Sequence, residues 1–426
     1  MPGILLQCRG HGADGRSAGA MTHASDVLIL GGGPAGLSCA RALRARGVRD
    51  VVLLERESVP GGIPRHCGHI GFGLREFGRI YSGPDYAKRL AQEASAADLR
   101  LHMTALKLAP GGVVRATGPN GPESFQAKAI VIALGARETP RSARLISGSR
   151  PFGVMSTGAL QQFVYLHGKC PFERPVVIGS ELVAFSTLLT LRHAGIKPLA
   201  IIEEKARITA REPGTWIARL GFGVPILTGT QLLRVIGQDK VTGIEIDRGA
   251  GPEVMTCDGV ILTGKFRPET ALIAPSHLEI DAGTHGPSID TYFRCSDLQF
   301  FAAGNVLRGI ETAGQCWREG RAVAEMVIAG LEGRLPVRGP DARVTVRGPL
   351  AYVYPQRIYH GTPASHPLLF KARVTRAVRG KLSVIVDGNP VWSRRISALP
   401  ERRIAWQLPR RGMKNCQHVS VELDAA

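Results

Sequence analysis

The sequence predicts an α/β fold of two Rossmann-like βαβ units followed by a small β-rich C-terminal domain. Three observations predict it. Two segments, Val27–Glu55 and Val176–Glu203, each run in the order apolar strand, glycine turn, apolar helix, apolar strand, acid. Two further apolar strands run into glycine, at Ala129–Ala136 and Leu298–Gly304, on either side of the second segment. Beyond residue 341 the pattern changes to apolar/polar alternation of period two.

Composition sets the bounds. The chain has 426 residues, enough for two or three domains with their own cores. With 44% hydrophobic and 21% charged residues it reads as a globular chain. No apolar run approaches the roughly 18 residues of a membrane span. The first 21 residues are rich in Gly, Ala and polar residues, and their one apolar run is too short for a signal-peptide core. They read as a disordered extension, with Met21 an alternative start and the cytoplasm the default location. Eight cysteines occur, none spaced C-x-x-C or C-x4-C, which argues against a Cys-ligated metal and a local redox disulfide. Such scattered thiols suit a reducing compartment. The formal net charge of +19 is spread along the chain without a basic-aromatic motif or zinc finger. It points away from nucleic acid and toward a basic surface for an acidic partner.

The first unit is the most specific. Val27–Leu30 is the strand, and Gly31-Gly32-Gly33-Pro34-Ala35-Gly36 gives G-x-G-x-x-G at the strand-to-helix turn. Gly31 permits the tight turn, Gly33 lets the backbone approach a pyrophosphate, and Gly36 permits close helix–strand packing. The helix is predicted over Pro34–Arg46, with its N-terminal amides toward the phosphates. Glu55 closes the next strand 19 residues after Gly36 (55 − 36), where a carboxylate accepts hydrogen bonds from a ribose. This is a Rossmann-like dinucleotide-binding unit. Ala129–Arg141 ends its strand in Ala133-Leu134-Gly135-Ala136. Leu298–Gly309 ends in Gly304-Asn305, with a helix predicted over Glu311–Leu331.

Together these three segments resemble the signatures of the FAD domain in the pyridine nucleotide-disulfide oxidoreductase superfamily, whose domains are three-layer ββα. The resemblance implies FAD as cofactor. It implies contacts from Gly31, Gly33, Pro34, Ala35, Gly36, Glu55, Arg56, Gly62, Ile63, Ala133, Gly135, Gly304, Asn305 and Gln315. The third signature usually ends Gly-Asp. Asn305 keeps an amide oxygen that accepts a hydrogen bond but brings no charge. The helix after it would aim its N-terminus at the pyrimidine end of the flavin.

Members of that superfamily with a redox disulfide carry two cysteines after the first unit. Here there is one, Cys67, between His66 and His69. The pattern Cys67-x-His69-x-Gly71-Phe72-Gly73, with Ser82-Gly83-Pro84-x-Tyr86-Ala87 behind it, is similar to flavoproteins encoded beside anaerobic-type glycerol-3-phosphate dehydrogenases. It is similar too to the alpha subunits of opine oxidases and dye-linked proline dehydrogenases. The likeness extends through Arg150–Phe163, Tyr354–Ile358 and Arg373–Gly388. By position Cys67 and His69 are the candidate catalytic pair. The His would shuttle a proton, or the Cys would make a thiolate contact with the flavin. Simple packing of the loop is the other reading, and zinc at His66, Cys67 and His69 a third that lacks further ligands. No metal is expected.

The second unit keeps the architecture and loses the motif. A strand at Val176–Ile178, a helix over Phe185–His193 stopped by Gly195, and a strand at Leu199–Ile202 ending in Glu203 repeat the first unit. Ala184 to Glu203 is again 19 residues (203 − 184). Gly179 and Ser180 open the turn, but Glu181 stands at the second glycine position and Ala184 at the third. A carboxylate about 5 Å from a phosphate, at an effective dielectric near 20, costs roughly 3 kcal/mol. Ordinary NAD(P)H binding is therefore doubtful, with a rearranged turn or another anion left open. Glu203-Glu204 would suit NADH better than NADPH, a preference that Arg207 and Arg211 leave open.

The expected domains are 1–21 as the extension, 22–148 with 285–335 for FAD, 149–284 for the inserted unit, and 341–426 for the β-rich tail after a linker. The tail has 15 Lys/Arg and 5 Asp/Glu, hence +10 (15 − 5), and "DGNP" at Asp387–Pro390 signals a hairpin. The family resemblance implies an FAD oxidoreductase that is one subunit of a multi-subunit dehydrogenase or oxidase. Its partner would be a second flavoprotein subunit, and its substrate glycerol 3-phosphate, an opine, or an amino or imino acid. A stand-alone NAD(P)H:acceptor reductase and a non-catalytic nucleotide-bound scaffold are the alternatives.

Overall fold

The computed structural model describes residues 22–210, 214–336, 341–359, 368–408 and 416–425. The N-terminal extension with Met21, and Arg211, lie outside the described residues.

Strand β1 (Thr22–Leu30) is the axis of the first unit. It pairs in parallel with β2 (Val51–Leu54) on one side and with Gly121–Ile132 on the other. The far edge of Gly121–Ile132 pairs first with Val113–Gly118, antiparallel, and then with Phe300–Ala302, parallel. The chain thus leaves this sheet after Ile132 and returns to it at Phe300. Side chains alternate across a strand, so β1 feeds two cores. Val27 and Ile29 pack with helix α1 (Pro34–Ala45) and the long helix Ala313–Leu331. Leu28 and Leu30 pack on the other face with Leu108, Val114 and Phe125 of the antiparallel meander. Helix, sheet and meander are the three layers that the sequence predicts.

Between Ile132 and Phe300 the chain builds an all-parallel sheet. Its order is Val154–Ser156, Gly259–Leu262, Pro175–Ile178, Ile201–Glu203, Ile226–Thr228. The helix that follows its glycine turn spans Leu182–His193, starting three residues before the expected Phe185. Gly195, at φ +76°, ends the turn after it, as the sequence suggests. A four-stranded sheet of short strands, mostly antiparallel, lies beside it.

The tail is β-rich. Five strands in the order Arg357–Tyr359, Asp341–Arg347, His418–Ala425, Val378–Val386, Asn389–Ala398 form one sheet. Leu350–Tyr354, Leu368–Val374 and Ile404–Leu408 form another. The hairpin at Asp387-Gly388 has positive φ at both residues, the geometry that matches the right-handed strand twist. The tail does not stand apart. Tyr352 and Tyr354 pack into the first unit's core beside Leu28 and Leu30. Gln356 accepts the Ile289 amide through its side chain, and the Arg357 guanidinium donates to the carbonyls of Ser288 and Arg294. No helix among the described residues is long and apolar enough to cross a membrane.

Candidate functional site

The site forms where three adjacent parallel strands end. Ligands in open α/β sheets bind at the carboxyl ends of the strands. Here β1, Gly121–Ile132 and Phe300–Ala302 deliver Gly31, Ala133 and Gly304 to one edge. Gly31, at φ +107°, donates its amide to Leu54 O (2.9 Å), and a Cβ there would stand 2.6 Å from Ala133 O. Gly304, at φ +79°, nests on the first turn of α1, where a Cβ would meet Ala35 Cβ at 2.9 Å. A Cβ on Gly36 would overlap Gly31 O. These contacts close the turn from within.

Gly33 differs. A Cβ there would meet only Gly62 Cα, at 4.0 Å, so the space above this residue is open. Gly33 is the N-cap of α1, and Pro34 follows it in the first turn. No side chain caps the helix and no acid lies in its first turn. Uncapped first-turn amides beside a bare Cα fit a pyrophosphate. Glu55 is buried, its Oε2 accepting Gly32 N (2.7 Å) and its Oε1 accepting Glu57 N (2.9 Å). An ionised carboxylate has about four acceptor positions, so both oxygens retain capacity for sugar hydroxyls. Gly62 lies against Gly33; at φ +63°, a Cβ on it would stand 2.9 Å from Gly33 Cα. The residues present therefore fit the ADP half of FAD.

Other expected contacts fall differently. Arg56 points outward toward Glu57 (3.7 Å), and Ile63 is half exposed. Gly135 sits in an open turn, its carbonyl accepting Glu269 N. Gln315 lies in the first turn of the long helix, its oxygen accepting from Arg318 (2.8 Å). Asn305 uses both ends of its amide within the chain. Oδ1 accepts Glu311 N (2.7 Å), and Nδ2 donates to Glu311 O (3.2 Å). An ionised aspartate has no donor for the second bond. Here the residue staples the loop 305–311, a role that the change from Gly-Asp to Gly-Asn does not announce.

Cys67 and His69 sit on a loop wedged against the helix Thr157–His167, where a Cβ on Gly68 would overlap the Tyr165 ring. Cys67 Sγ lies 3.5 Å from Gln161 Oε1 and from Ile63 O, and burial pushes the thiol up to about 12. It is a neutral thiol in this environment, which does not favour a thiolate contact. His69 Nδ1 lies 2.9 Å from Ile70 O, and its ring stacks on Phe72. His66 is buried with an unpartnered Nδ1, and burial and Arg65 bring it down to about 4. No group of three metal-ligating side chains occurs among the described residues. Sequence reasoning passed over Glu138 and Arg144. Glu138 Oε2 accepts Gly158 N (2.8 Å) at the start of the helix Thr157–His167, and burial raises its carboxyl above the ordinary range. Arg144 donates to the carbonyls of Thr139, Thr263 and Gly264. The signal for both was available in "GARETPRSAR", where charged residues directly follow a glycine turn.

The second turn repeats the first bond by bond. Gly179, also at φ +107°, donates to Ile202 O (2.8 Å). Ser180 N reaches Glu203 Oε2 (3.1 Å), and Lys205 N reaches Glu203 Oε1 (3.0 Å). Thr263 N donates to Ile178 O (2.9 Å), as Ala133 N does to Leu30 O (2.8 Å). What differs is the occupant. The Glu181 carboxylate folds back into the turn, its Oε2 accepting from Thr263 Oγ1 (2.8 Å). It fills the space beside Gly179 and Gly264, where a Cβ on either would collide with it. Burial raises its pKa, with Thr263 and Arg144 opposing. Glu203 Oε2 is further engaged by the hydroxyls of Ser180 and Thr209. Ala184 is fully buried in the helix.

Residues 25–320 match the pyridine nucleotide-disulphide oxidoreductase family. An opine oxidase subunit from Rhizobium meliloti is 26% identical over 312 residues, 66% of this chain and 58% of the relative. The alpha subunit of sarcosine oxidase from Rhizobium meliloti (strain 1021) is 25% identical over 334 residues, 72% of this chain and 30% of the relative. The chain thus spans less than two thirds of either relative's length. The thioredoxin reductase of T. acidophilum superposes with a TM-score of 0.60 at 22% identity, covering 72% of this chain and 99% of that one. The seven cysteines described are all unpaired. On its glycine turn, its three converging strands and this match, the chain belongs to the pyridine nucleotide-disulphide oxidoreductase family, as an FAD-dependent oxidoreductase with no cysteine pair among the described residues.

Proposed function

We propose that this chain is the FAD-holding, electron-transferring subunit of a multi-subunit dehydrogenase or oxidase. Its substrate would be glycerol 3-phosphate, an opine, or an amino or imino acid, and its partner a second flavoprotein subunit. The unpaired thiols suit a reducing compartment such as the cytoplasm. Bound FAD supplies two-electron oxidation and reduction; the protein holds it and sets its surroundings. Backbone amides at the start of α1 bind the pyrophosphate, and Glu55 holds the adenosine ribose. Support for the subunit role comes from relatives named as subunits of opine and sarcosine oxidases.

The observation that carries the reading is the Glu181 carboxylate seated in the second turn. A chain that took its electrons from NAD(P)H would need that turn free. Anaerobic addition of NADH to the flavin-loaded protein is therefore expected to leave the flavin absorption near 450 nm unbleached. Prompt bleaching would instead establish the NAD(P)H:acceptor reductase. One observation favours that second reading: the backbone of the second turn and the position of Glu203 are kept.

A further inference from the structure

The C-terminal domain reaches the flavin-binding turn through a buried set of charges. Glu319 lies on the long helix, almost wholly buried. Its Oε2 accepts the Gly304 amide (3.0 Å) and Arg308 Nη1 (3.0 Å). Its Oε1 accepts Arg308 Nη2 (3.1 Å), Lys371 Nζ (3.0 Å) and the Tyr354 hydroxyl (3.3 Å). Lys371 and Tyr354 come from the C-terminal sheets, and both are buried. The Arg308 guanidinium lies over the Tyr354 ring at 4.4 Å. The grip continues along the loop that Asn305 staples. Arg373 Nη2 donates to Ile310 O (2.7 Å), and Arg403 Nη1 meets Glu311 Oε2 (2.6 Å). Arg308 and Arg373 stand 3.8 and 3.9 Å from Glu311 Oε1.

Stability alone is a poor explanation for this cluster. Burying charges is costly, and replacing a buried ion pair by apolar side chains is often neutral or stabilising. What an apolar replacement would lose is the hydrogen bond to Gly304 N and a fixed position for the loop. Ionised throughout, the cluster carries four cations (Arg308, Lys371, Arg373, Arg403) and two anions (Glu311, Glu319). It is therefore net positive beneath the turn where the third FAD signature lies.

We propose that Glu319, held from the far side by Lys371 and Tyr354, is a positioning residue for the Gly304-Asn305 turn. Through it the docked C-terminal domain sets how tightly FAD is held and how easily it is reduced. The inference rests on FAD binding at the first glycine turn. Losing a cation here disfavours the negative charge that reduction places on the cofactor.

The test uses the full chain, stripped of flavin and titrated with FAD, with the midpoint potential of the loaded protein read against a redox dye. Lys371→Met keeps the stem and removes the charge. It is expected to weaken FAD binding at least tenfold and to lower the midpoint potential, with Lys371→Arg recovering most of both. A Lys371→Met protein that melts like wild type, binds FAD within twofold and keeps its potential overturns the proposal. Should that variant fail to fold, Arg403→Gln loosens the grip on Glu311 from a partly exposed position. It is expected to shift both readouts in the same direction, and unchanged values overturn the proposal equally. Wild-type protein that takes up no FAD would instead sink the cofactor assignment, a distinct outcome.

Discussion

Replacing Glu181 by glycine removes the carboxylate that fills the second turn and restores bare main chain where a pyrophosphate would lie. The effect follows from the geometry. The turn around it already has the backbone of the first one, from the φ of Gly179 to the amide bonds of Ser180 and Lys205. A carboxylate about 5 Å from a phosphate charge, at an effective dielectric near 20, opposes binding by roughly 3 kcal/mol, or over a hundredfold. Two features reduce the gain. Burial raises the Glu181 pKa, which makes it easier for the carboxyl to take up a proton as an anion approaches. Glu203 is partly engaged by Ser180 and Thr209 and must release them to hold a ribose. Arg144 works the other way, since it loses a nearby anion and would face the pyrophosphate. The expected net result is NADH bound at least tenfold more tightly by Glu181→Gly than by wild type, measured by anaerobic calorimetric titration. Glu181→Gln separates charge from bulk: it should recover part of the gain. Equal NADH affinity in wild type and Glu181→Gly would mean that the carboxylate is not what blocks the turn.

Three further outcomes are expected. Cys67→Ala should leave the visible spectrum of the loaded protein unchanged, because the buried thiol stays protonated; a long-wavelength band that vanishes in the variant would contradict this. Although burial opposes its ionisation, the charges of Arg308 and Lys371 bring the Glu319 carboxyl down to about 2. Its contribution, roughly 3 kcal/mol, is then fully present above the unfolded value of 4.5 and lost as pH falls toward 2. Urea unfolding at pH 6 and pH 3 should show a loss that Glu319→Gln does not share. Asn305→Asp removes the donor to Glu311 O and should lower the stability by about 1 kcal/mol; an unchanged melting temperature would show that the staple is idle.

The parts legible in the sequence are those with local causes. The glycine spacing at 31–36, the apolar strands that end in Gly135 and Gly304, and the Asp387-Gly388 hairpin each constrain only their own neighbourhood. The second unit was legible for the same reason, since strand, helix and terminal acid recur at the same spacing. What escaped depends on pairs far apart in the chain. Glu319 meets Lys371 across 52 positions, and nothing in either segment alone marks the contact. Nothing local to Tyr352 and Tyr354 marks their destination, yet they enter the core of another unit. Glu181 was recognised as foreign to the turn, but that its carboxylate folds inward onto Thr263 needed the strand Gly259–Leu262 in place. Asn305 was read for what it lacked beside aspartate; its donor amide, which an aspartate cannot supply, proved to be the structural feature.

Whether FAD lies against the main chain at Gly33 is decided by FAD uptake in Gly33→Ala. Gly33 has extended backbone angles that any residue adopts, and a Cβ there meets nothing nearer than Gly62 Cα. The apoprotein should therefore melt as wild type does. A methyl group in the path of the pyrophosphate should weaken FAD on the order of a hundredfold. A Gly33→Ala protein that folds and binds FAD as tightly as wild type would place the cofactor elsewhere.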